Sequence, residues 1–148
     1  MVCPDKCIIR KIHESDYENY IVMINEFRET VFTKEQFVDT LWYLNPFSEI
    51  WVIEYENHII ATGTILYEKK LIHNNGMLAH IEDICVKKEC CKFGIGKMIV
   101  QHLMKLAKEF GCYKVTLYCS QANSHFYEMC GMVRNGVQMV QLSANICP

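Results

Sequence analysis

The sequence lacks the segments that would direct it to a membrane or to nucleic acid. No stretch approaches the roughly 18 consecutive apolar residues of a membrane-spanning helix, and no basic stretch followed by an apolar run marks a signal peptide at the N-terminus. Lysine and arginine number 15 against 17 aspartates and glutamates, so the net charge of −2 argues against a dominant basic surface. We therefore expect a soluble cytoplasmic protein that binds neither a membrane nor nucleic acid.

Paired-cysteine motifs are also missing, although the chain contains nine cysteines. Their number is odd, their spacing is irregular and no Cys-x-x-Cys occurs, which argues against a disulfide framework. Cys112 lies in an apolar run, where a free thiol behaves as a small hydrophobic group. A zinc site needs paired ligands, and Cys3 with Cys7 is only half of such a set. We expect reduced thiols and no metal.

The 148 residues contain no repeat, low-complexity tract or linker, so we expect one domain that spans residues 1–148. Apolar periodicity and turn residues predict strands and helices in the order β-α-α-β-β-β-α-β-α-β. The predicted strands are 8–12, 50–55, 59–67, 77–86, 115–119 and 137–142. The predicted helices are 17–27 with a cap at Ser15 or Asp16, 34–44 with a Thr33–Gln36 capping box, a long helix from Gly96 to Gly111, and 123–130. This order indicates an α/β domain with a mixed sheet.

The long helix has an apolar face and a polar face. Ile99, Leu103, Leu106 and Phe110 recur at helical spacing, which predicts that they face the core. His102 falls on the opposite face, so we expect it at the surface.

The join before this helix reads Cys91-Lys92-Phe93-Gly94-Ile95-Gly96-Lys97. Two glycines let the backbone approach an anion, and the free N–H groups at a helix start favour phosphate oxygens. Two lysines add positive charge. Taken alone, the glycines could equally serve only as a turn, and the loop is neither a Walker A sequence nor a dinucleotide fingerprint.

In context, this loop resembles the acetyl-CoA loop of the GNAT superfamily, usually Gln/Arg-x-x-Gly-x-Gly/Ala. Gly94 and Gly96 match that pattern, and Cys91 stands where Gln or Arg is usual. Further motifs resemble the glucosamine 6-phosphate N-acetyltransferase family within that superfamily. They are Lys70-Leu71-Ile72-His73, His80-Ile81-Glu82-Asp83-Ile84, Gly111-Cys112-Tyr113-Lys114, and Asn123 with Phe126-Tyr127-Glu128 and Cys130-Gly131.

The resemblance implies a GNAT fold, in which a mixed, mostly antiparallel central sheet is flanked by helices and its fourth and fifth strands splay apart. It implies that acetyl-CoA lies in this gap, with its pantetheine arm on the backbone of Ile84, Cys85 and Val86 and its pyrophosphate on residues 91–97. Asn123 would contact the arm. The Tyr127 hydroxyl would lie near the CoA sulfur as general acid.

The implied reaction is transfer of acetyl from acetyl-CoA to the 2-amino group of glucosamine 6-phosphate, in a ternary complex, for UDP-N-acetylglucosamine biosynthesis. Glu82 and Asp83 would lie beside the thioester. Neighbouring strand residues point to opposite faces, so one carboxylate would bind sugar hydroxyls. The other carboxylate, or a nearby backbone carbonyl, would orient the amine and accept its proton, directly or through water. The resemblance also implies a homodimer with the acceptor site near the interface.

Two positions depart from the family pattern. Tyr118 stands where the family usually has an aspartate that helps to position the sugar, and residues 141–143 carry no cation where the family tends to have one for the sugar phosphate. The phosphate would then be bound by Lys69, Lys70 or His73, or by a residue of the N-terminal part such as Arg28.

Other interpretations stay open. The acceptor could be another amine, on a protein or a small molecule, or the chain could be an acyl-CoA-binding module without activity. By sequence alone, the carboxylate pair could be a solvated strand end, Tyr127 a core residue and Asn123 a helix N-cap. Cys85 and Cys119 suggest a nucleophilic cysteine, but no histidine is placed by sequence to activate either thiol.

Overall fold

The computed structural model describes residues 2–141, and its centre is a five-stranded sheet with the strands in sequence order. Strands β1 to β4 pair antiparallel, and β5 runs parallel to β4. The prediction of a mixed, mostly antiparallel sheet is thus confirmed. The strands are β1 (Ile8–Lys11), β2 (Ser48–Tyr55), β3 (His58–Lys69), β4 (Met77–Val86) and β5 (Cys112–Thr116).

Helices cover both faces of this sheet. They are α1 (Tyr17–Ile24), α2 (Lys34–Leu44), the single turn α3 (Ile72–Asn75), α4 (Ile95–Glu109) and α5 (Gln121–Met129). Val52 of β2 packs in one buried cluster with residues of α1 and α2, and its neighbour Ile53 packs in a second cluster with residues of α4. Because successive strand residues point to opposite faces, α1 and α2 lie on one side and α4 on the other.

Helix boundaries follow local capping. The predicted Thr33–Gln36 capping box is present, since the Gln36 N–H donates to the Thr33 hydroxyl and the Thr33 N–H donates to the Gln36 side chain. The prediction for α1 is confirmed at its start, Tyr17, and was wrong at its end. That helix stops at Ile24 rather than at residue 27. Asp16 stands at the N-cap position, but its side chain makes no capping hydrogen bond to α1; its carboxylate accepts hydrogen bonds from Arg10 at 2.7 and 2.9 Å instead.

The two C-terminal strand predictions need correction. β5 begins at Cys112, directly after Gly111 with its φ of +80°, and ends at Thr116 rather than at residue 119. Residues 137–141 form no strand; Leu142, the last residue of that prediction, lies outside the described residues. A strand needs a neighbour for its backbone groups. Val137 and Met139 are instead 88% and 89% exposed, and neither belongs to any strand pair within residues 2–141.

The inner face of α4 is confirmed at Ile99 and Leu103, which are fully buried. Phe110 is 56% exposed and stacks on Tyr67 at the end of the helix, with ring centroids 4.2 Å apart. The prediction for His102 was wrong: its ring lies 4.4 Å from that of Trp51. Its Nε2 atom is buried without a hydrogen-bond partner within the described residues. Helical periodicity missed this residue because Trp51 of β2, a residue distant in sequence, packs against it.

We expect the stability of the fold to fall on acidification because of His102. Burial lowers the pKa of His102 below its usual value of 6.5. The unfolded chain therefore binds this proton more readily, and the stabilisation is complete above pH 6.5 and is lost as the pH falls through the lowered pKa. His102→Phe keeps the aromatic contact with Trp51 but cannot titrate. Its urea midpoint should change less between about pH 7.5 and pH 5.

A matched control for this measurement is His125→Phe, since His125 is exposed on α5. This variant should keep the pH dependence of the original chain. An unchanged pH dependence in His102→Phe would exclude His102 as its source.

The structure also bears on the expectations of reduced thiols and of no membrane-spanning segment. The eight cysteines within residues 2–141 are free thiols. Among the same residues, no helix combines the length and the apolar character that crossing a bilayer requires.

Candidate active site

The sheet opens between β4 and β5. β5 pairs with β4 only as far as Thr116, which lies opposite His80, whereas β4 continues to Val86. Within residues 2–141, the backbone of Ile84 to Val86 therefore has no strand partner on this side. An unpaired strand edge presents N–H and C=O groups that an extended ligand can bind.

A β-bulge lies at this opening. On β3, Thr62 pairs with Cys85 and Thr64 pairs with Glu82, so Gly63 alone faces two residues of β4. One of these two, Asp83, has a φ of +52°. A bulge of this kind turns the strand locally and ends regular pairing.

A side chain at position 63 would collide with Ile84, the second β4 residue of the bulge. A Cβ atom at position 63 would lie 2.5 Å from Ile84 Cδ1 and 2.9 Å from Leu103 Cδ1. The packing beneath the bulge therefore depends on this glycine.

The glycine loop follows β4 and starts α4. Gly94 has a φ of +77°, and the 15-residue helix begins at the next residue. Gly96 lies inside the helix, where a Cβ would come within 3.1 Å of the Phe126 ring and 3.5 Å of Val86. Gly94 thus supplies a left-handed turn, and Gly96 lets α5 pack closely on the start of α4.

The side chains of the loop divide into two kinds. Lys92 and Lys97 are exposed, and neither forms an ion pair with another described residue. The Cys91 thiol donates to the carbonyl oxygens of Lys87 and Val86, at 3.4 and 3.6 Å. Its short side chain stays on the end of β4. The loop can therefore bind an anion through backbone N–H groups and the two lysines.

Helix α5 carries two of the predicted residues. It begins at Gln121 after the N-cap Ser120, so the prediction of Asn123 as a helix N-cap was wrong; Asn123 is exposed in the first turn. Tyr127 is half-buried, with its ring 4.9 Å from that of Phe126. Burial, and next its neighbour Cys119, raise the pKa of Tyr127 above the usual value of 10. Its hydroxyl therefore stays protonated at neutral pH.

A cleft of about 1100 Å³ lies between β5, α5 and the segment after α5. Among its lining residues are Glu82, Tyr127, Tyr118, Cys119, Thr116 and His80. The opening between the strands thus brings Glu82 and Tyr127, which are far apart in sequence, to one cavity.

Asp83 points elsewhere. Burial, and next the Asp83 carboxylate, raise the pKa of Cys85 to about 11, and the same carboxylate contributes to the raised pKa of Tyr20 on α1. The Asp83 carboxylate is therefore close to Tyr20 of α1, and Asp83 is not among the residues that line the cleft with Tyr127. A thiol with so high a pKa is a poor nucleophile, which disfavours Cys85 as an acyl carrier.

The two predicted phosphate-binding residues, Lys70 and His73, are near the start of β4. The Lys70 ammonium pairs with the Glu68 carboxylate. His73, in the left-handed turn α3, packs its ring on Tyr113 with centroids 4.7 Å apart. Neither lines the cleft that holds Glu82 and Tyr127.

Sequence reasoning missed Glu68 and Thr116, which both bind His80. His80 Nε2 lies 2.9 Å from Glu68 Oε2, and His80 Nδ1 lies 3.1 Å from Thr116 Oγ1. Burial, charge and periodicity in one segment give no signal for this group, because three strands contribute to it. His80 also lines a second cavity of about 590 Å³, beside Phe47 and Ser48.

Comparison with known proteins gives a consistent result. The model of the Acetyltransferase (GNAT) family matches residues 9–132. Glucosamine 6-phosphate N-acetyltransferase of Candida albicans is 36% identical and covers 95% of this chain and 98% of its own. Glucosamine 6-phosphate N-acetyltransferase 1 of Dictyostelium discoideum is 35% identical, and the match covers 93% of this chain and 92% of that protein. The crystal structure of the Arabidopsis thaliana glucosamine-6-phosphate N-acetyltransferase superposes with a TM-score of 0.85 at 36% identity. The superposition covers 92% of this chain and 97% of that one.

Proposed function

This chain belongs to the GNAT acetyltransferase family, and from that premise we propose that it transfers the acetyl group of acetyl-CoA to the 2-amino group of glucosamine 6-phosphate. The products are N-acetylglucosamine 6-phosphate and CoA. The observation that carries the proposal is the similarity to curated glucosamine 6-phosphate N-acetyltransferases over more than nine-tenths of the chain. We further propose a single N-acetyltransferase domain over residues 1–148, a homodimer, and a role in the cytoplasm in UDP-N-acetylglucosamine biosynthesis.

The proposed place of acetyl-CoA is the opening between β4 and β5. Its pantetheine arm would add to the free edge of Ile84 to Val86, and Asn123 on the facing helix is exposed toward solvent and free to contact the arm. The pyrophosphate would bind the backbone N–H groups of residues 91–97 with Lys92 and Lys97. Cys91 would contribute only backbone, since its thiol is bonded to the end of β4.

Amide formation needs a free amine, a thioester carbonyl and a stabilised leaving thiolate. The amine nitrogen attacks the carbonyl carbon, a C–N bond forms and the C–S bond breaks. Tyr127 would donate a hydrogen bond to the leaving sulfur, and Glu82, in the same cleft, would orient the amine. Asp83 would bind a sugar hydroxyl from the α1 side. Direct transfer is favoured over a cysteine intermediate by the raised pKa of Cys85.

The phosphate of the acceptor is proposed to bind Lys70 and His73, with Tyr118 lining the sugar side of the cleft. Lys70 must then exchange its ion pair with Glu68 for one with the phosphate. This exchange costs little for a partly exposed pair.

The proposal is tested by thiol release from acetyl-CoA with a panel of amines. Turnover with glucosamine 6-phosphate and little with glucosamine supports it. Turnover with another amine only would assign a different acceptor. Binding of acetyl-CoA with no turnover on any amine would indicate a binding module.

Gly94→Ala is expected to raise the KM for acetyl-CoA several-fold and to lower stability by about 1 kcal/mol, because an alanine is strained at a φ of +77°. No atom lies within 4 Å of the added Cβ, so the effect is conformational. Gly111→Ala is the matched control, with a φ of +80° and equally open space. It should lose similar stability in a thermal melt and keep its KM. Equal KM values in the two variants would remove the loop from cofactor binding.

A further inference from the structure

We propose that Thr116, His80 and Glu68 form a relay that accepts the proton of the acceptor amine. Their hydroxyl, imidazole and carboxylate are joined in one chain of hydrogen bonds that begins in the cleft beside Tyr127. The inference rests on the proposed acetyl transfer and adds to it the base that the reaction requires.

The geometry of the relay is fixed by three adjacent strands. His80 of β4 lies opposite Thr116 of β5 and opposite Leu66 of β3, and Glu68 is two residues beyond Leu66 on the same face. The hydroxyl is 3.1 Å from Nδ1, and the carboxylate is 2.9 Å from Nε2. Side chains on paired strands are held in place before the substrate binds, as a proton acceptor requires.

The hydrogen bonds assign the protonation state of His80. Hydrogen bonding from Lys70, and next from His80, lowers the pKa of Glu68, so its carboxylate is ionised and can only accept. Nε2 therefore carries the proton that it donates to Glu68. Nδ1 is left with a lone pair, which is the nearer acceptor for the Thr116 hydroxyl at 3.1 Å; the Ala79 carbonyl oxygen is 3.5 Å away. The one basic nitrogen of the imidazole is thus connected to the cleft through Thr116.

The relay is in the right place for the amine. Thr116 is the last residue of β5, where the two strands part, and Thr116 and His80 line the cleft together with Tyr127 and Glu82. The carboxylate of Glu128, also in the lining, is occupied by Arg134 at 2.7 Å. An imidazole is ordinarily a stronger base than a carboxylate by about two pKa units, which makes it the better acceptor for a proton from an ammonium group.

The proposed step moves two protons from the amine nitrogen, one to the relay and one to the leaving thiolate. A proton of the substrate ammonium moves to Thr116 Oγ1 while the Thr116 hydroxyl proton moves to His80 Nδ1, which leaves an imidazolium next to the Glu68 carboxylate. The freed lone pair on nitrogen forms the C–N bond, and the C–S electron pair leaves on sulfur. A second proton from nitrogen reaches the thiolate through Tyr127, so that the products are the amide and CoA thiol. The imidazolium then releases its proton to water.

Several other ionisable groups surround His80. The groups on the elements packed against it are Glu68, Lys70, Glu82, Lys114, Tyr43 and Tyr127. Two of these are cations and two are carboxylates, so neither sign dominates.

The test uses the full chain and the amine of the panel that turns over best. For His80→Gln we expect kcat/KM for this amine to fall about 10- to 100-fold near pH 7, below the full range of a general base, with the KM for acetyl-CoA unchanged. The deficit should shrink as the pH rises and the amine loses its own proton. Added imidazole should restore part of the rate of His80→Ala. His58→Gln is the control, because His58 is exposed at the start of β3.

Two substitutions of Thr116 distinguish loss of the hydroxyl from loss of folding, since valine has nearly the shape of threonine and serine keeps the hydroxyl. Thr116→Ser keeps the hydroxyl and should keep most of the rate, whereas Thr116→Val should behave like His80→Gln. Glu68→Gln should lower kcat/KM less than His80→Gln does, and it should shift the acidic limb of the plot of kcat/KM against pH.

Three results would overturn the relay. The first is a Thr116→Val variant that is as active as Thr116→Ser. The second is a His80→Gln variant in which only the KM for the amine changes, by the same factor at every pH. The third is a wild-type protein that is inactive on every amine. If wild type used a different amine, only the acceptor assignment would fail, since the relay is tested on that amine. A wild type inactive on every amine would overturn both proposals.

Discussion

Tyr127→Phe is expected to lower kcat by about 10- to 1000-fold while the KM for acetyl-CoA stays nearly unchanged. The substitution removes one hydroxyl from the cleft that also holds Glu82, and it keeps the ring that packs on Phe126. The loss is confined to kcat because the leaving thiolate exists only late in the reaction, so the ground state loses no interaction with the hydroxyl.

The direction of the pKa shift sharpens this role. Burial raises the pKa of Tyr127 above 10, whereas an ordinary thiol has a pKa of about 8.5. Complete proton transfer from the phenol to the sulfur is therefore uphill. Tyr127 stabilises the developing thiolate through a hydrogen bond, and its proton moves only in concert with the one leaving the amine.

Tyr55→Phe makes the same chemical change on β2, outside the cleft, and is the matched control. It should retain the kcat of the original chain. Steady-state thiol release at saturating acetyl-CoA gives both values. An unchanged kcat in Tyr127→Phe would mean that water, and not Tyr127, protonates the leaving thiolate. It would remove this residue from the mechanism.

The sequence predicted the parts of the fold that depend on local chemistry. The capping box at Thr33 and Gln36 and the glycine loop at Gly94 each rest on a few consecutive residues, and they stand where they were expected. The parts that failed depend on partners far along the chain. Residues 137–141 alternate like a strand, yet a strand forms only beside another strand.

The same distinction runs through the candidate site. The resemblance placed Glu82 and Tyr127 in one site, and the structure has both in one cleft. Glu68 and Thr116 could not be inferred, because they meet His80 through strand register and not through any spacing in sequence. Different directions for Glu82 and Asp83 were expected from the alternation of a strand. The bulge opposite Gly63 and the positive φ of Asp83 were not, because they arise from the pairing of β3 with β4.

Gly63→Ala is expected to destabilise the fold by about 1–3 kcal/mol and to raise the KM for acetyl-CoA, since the added methyl group has no space. It would lie 2.5 Å from Ile84 Cδ1, well inside van der Waals contact. The side chain of Ile84 must then move, and with it the bulged backbone whose free edge is proposed to bind the pantetheine arm. Urea unfolding and acetyl-CoA kinetics on the same preparation measure the two effects.

A double variant shows whether this contact is the cause. Ile84→Val removes the Cδ1 atom that the new methyl group meets, and alone it should cost about 0.5–1.5 kcal/mol. In Gly63→Ala/Ile84→Val the two losses should be less than additive by at least about 0.5 kcal/mol, because the second substitution makes room for the first. Leu103 Cδ1, 2.9 Å from the same point, limits the recovery. Strictly additive losses would mean that the contacts of the new methyl group with Leu103 and Ile99, and not the contact with Ile84 Cδ1, cause the destabilisation.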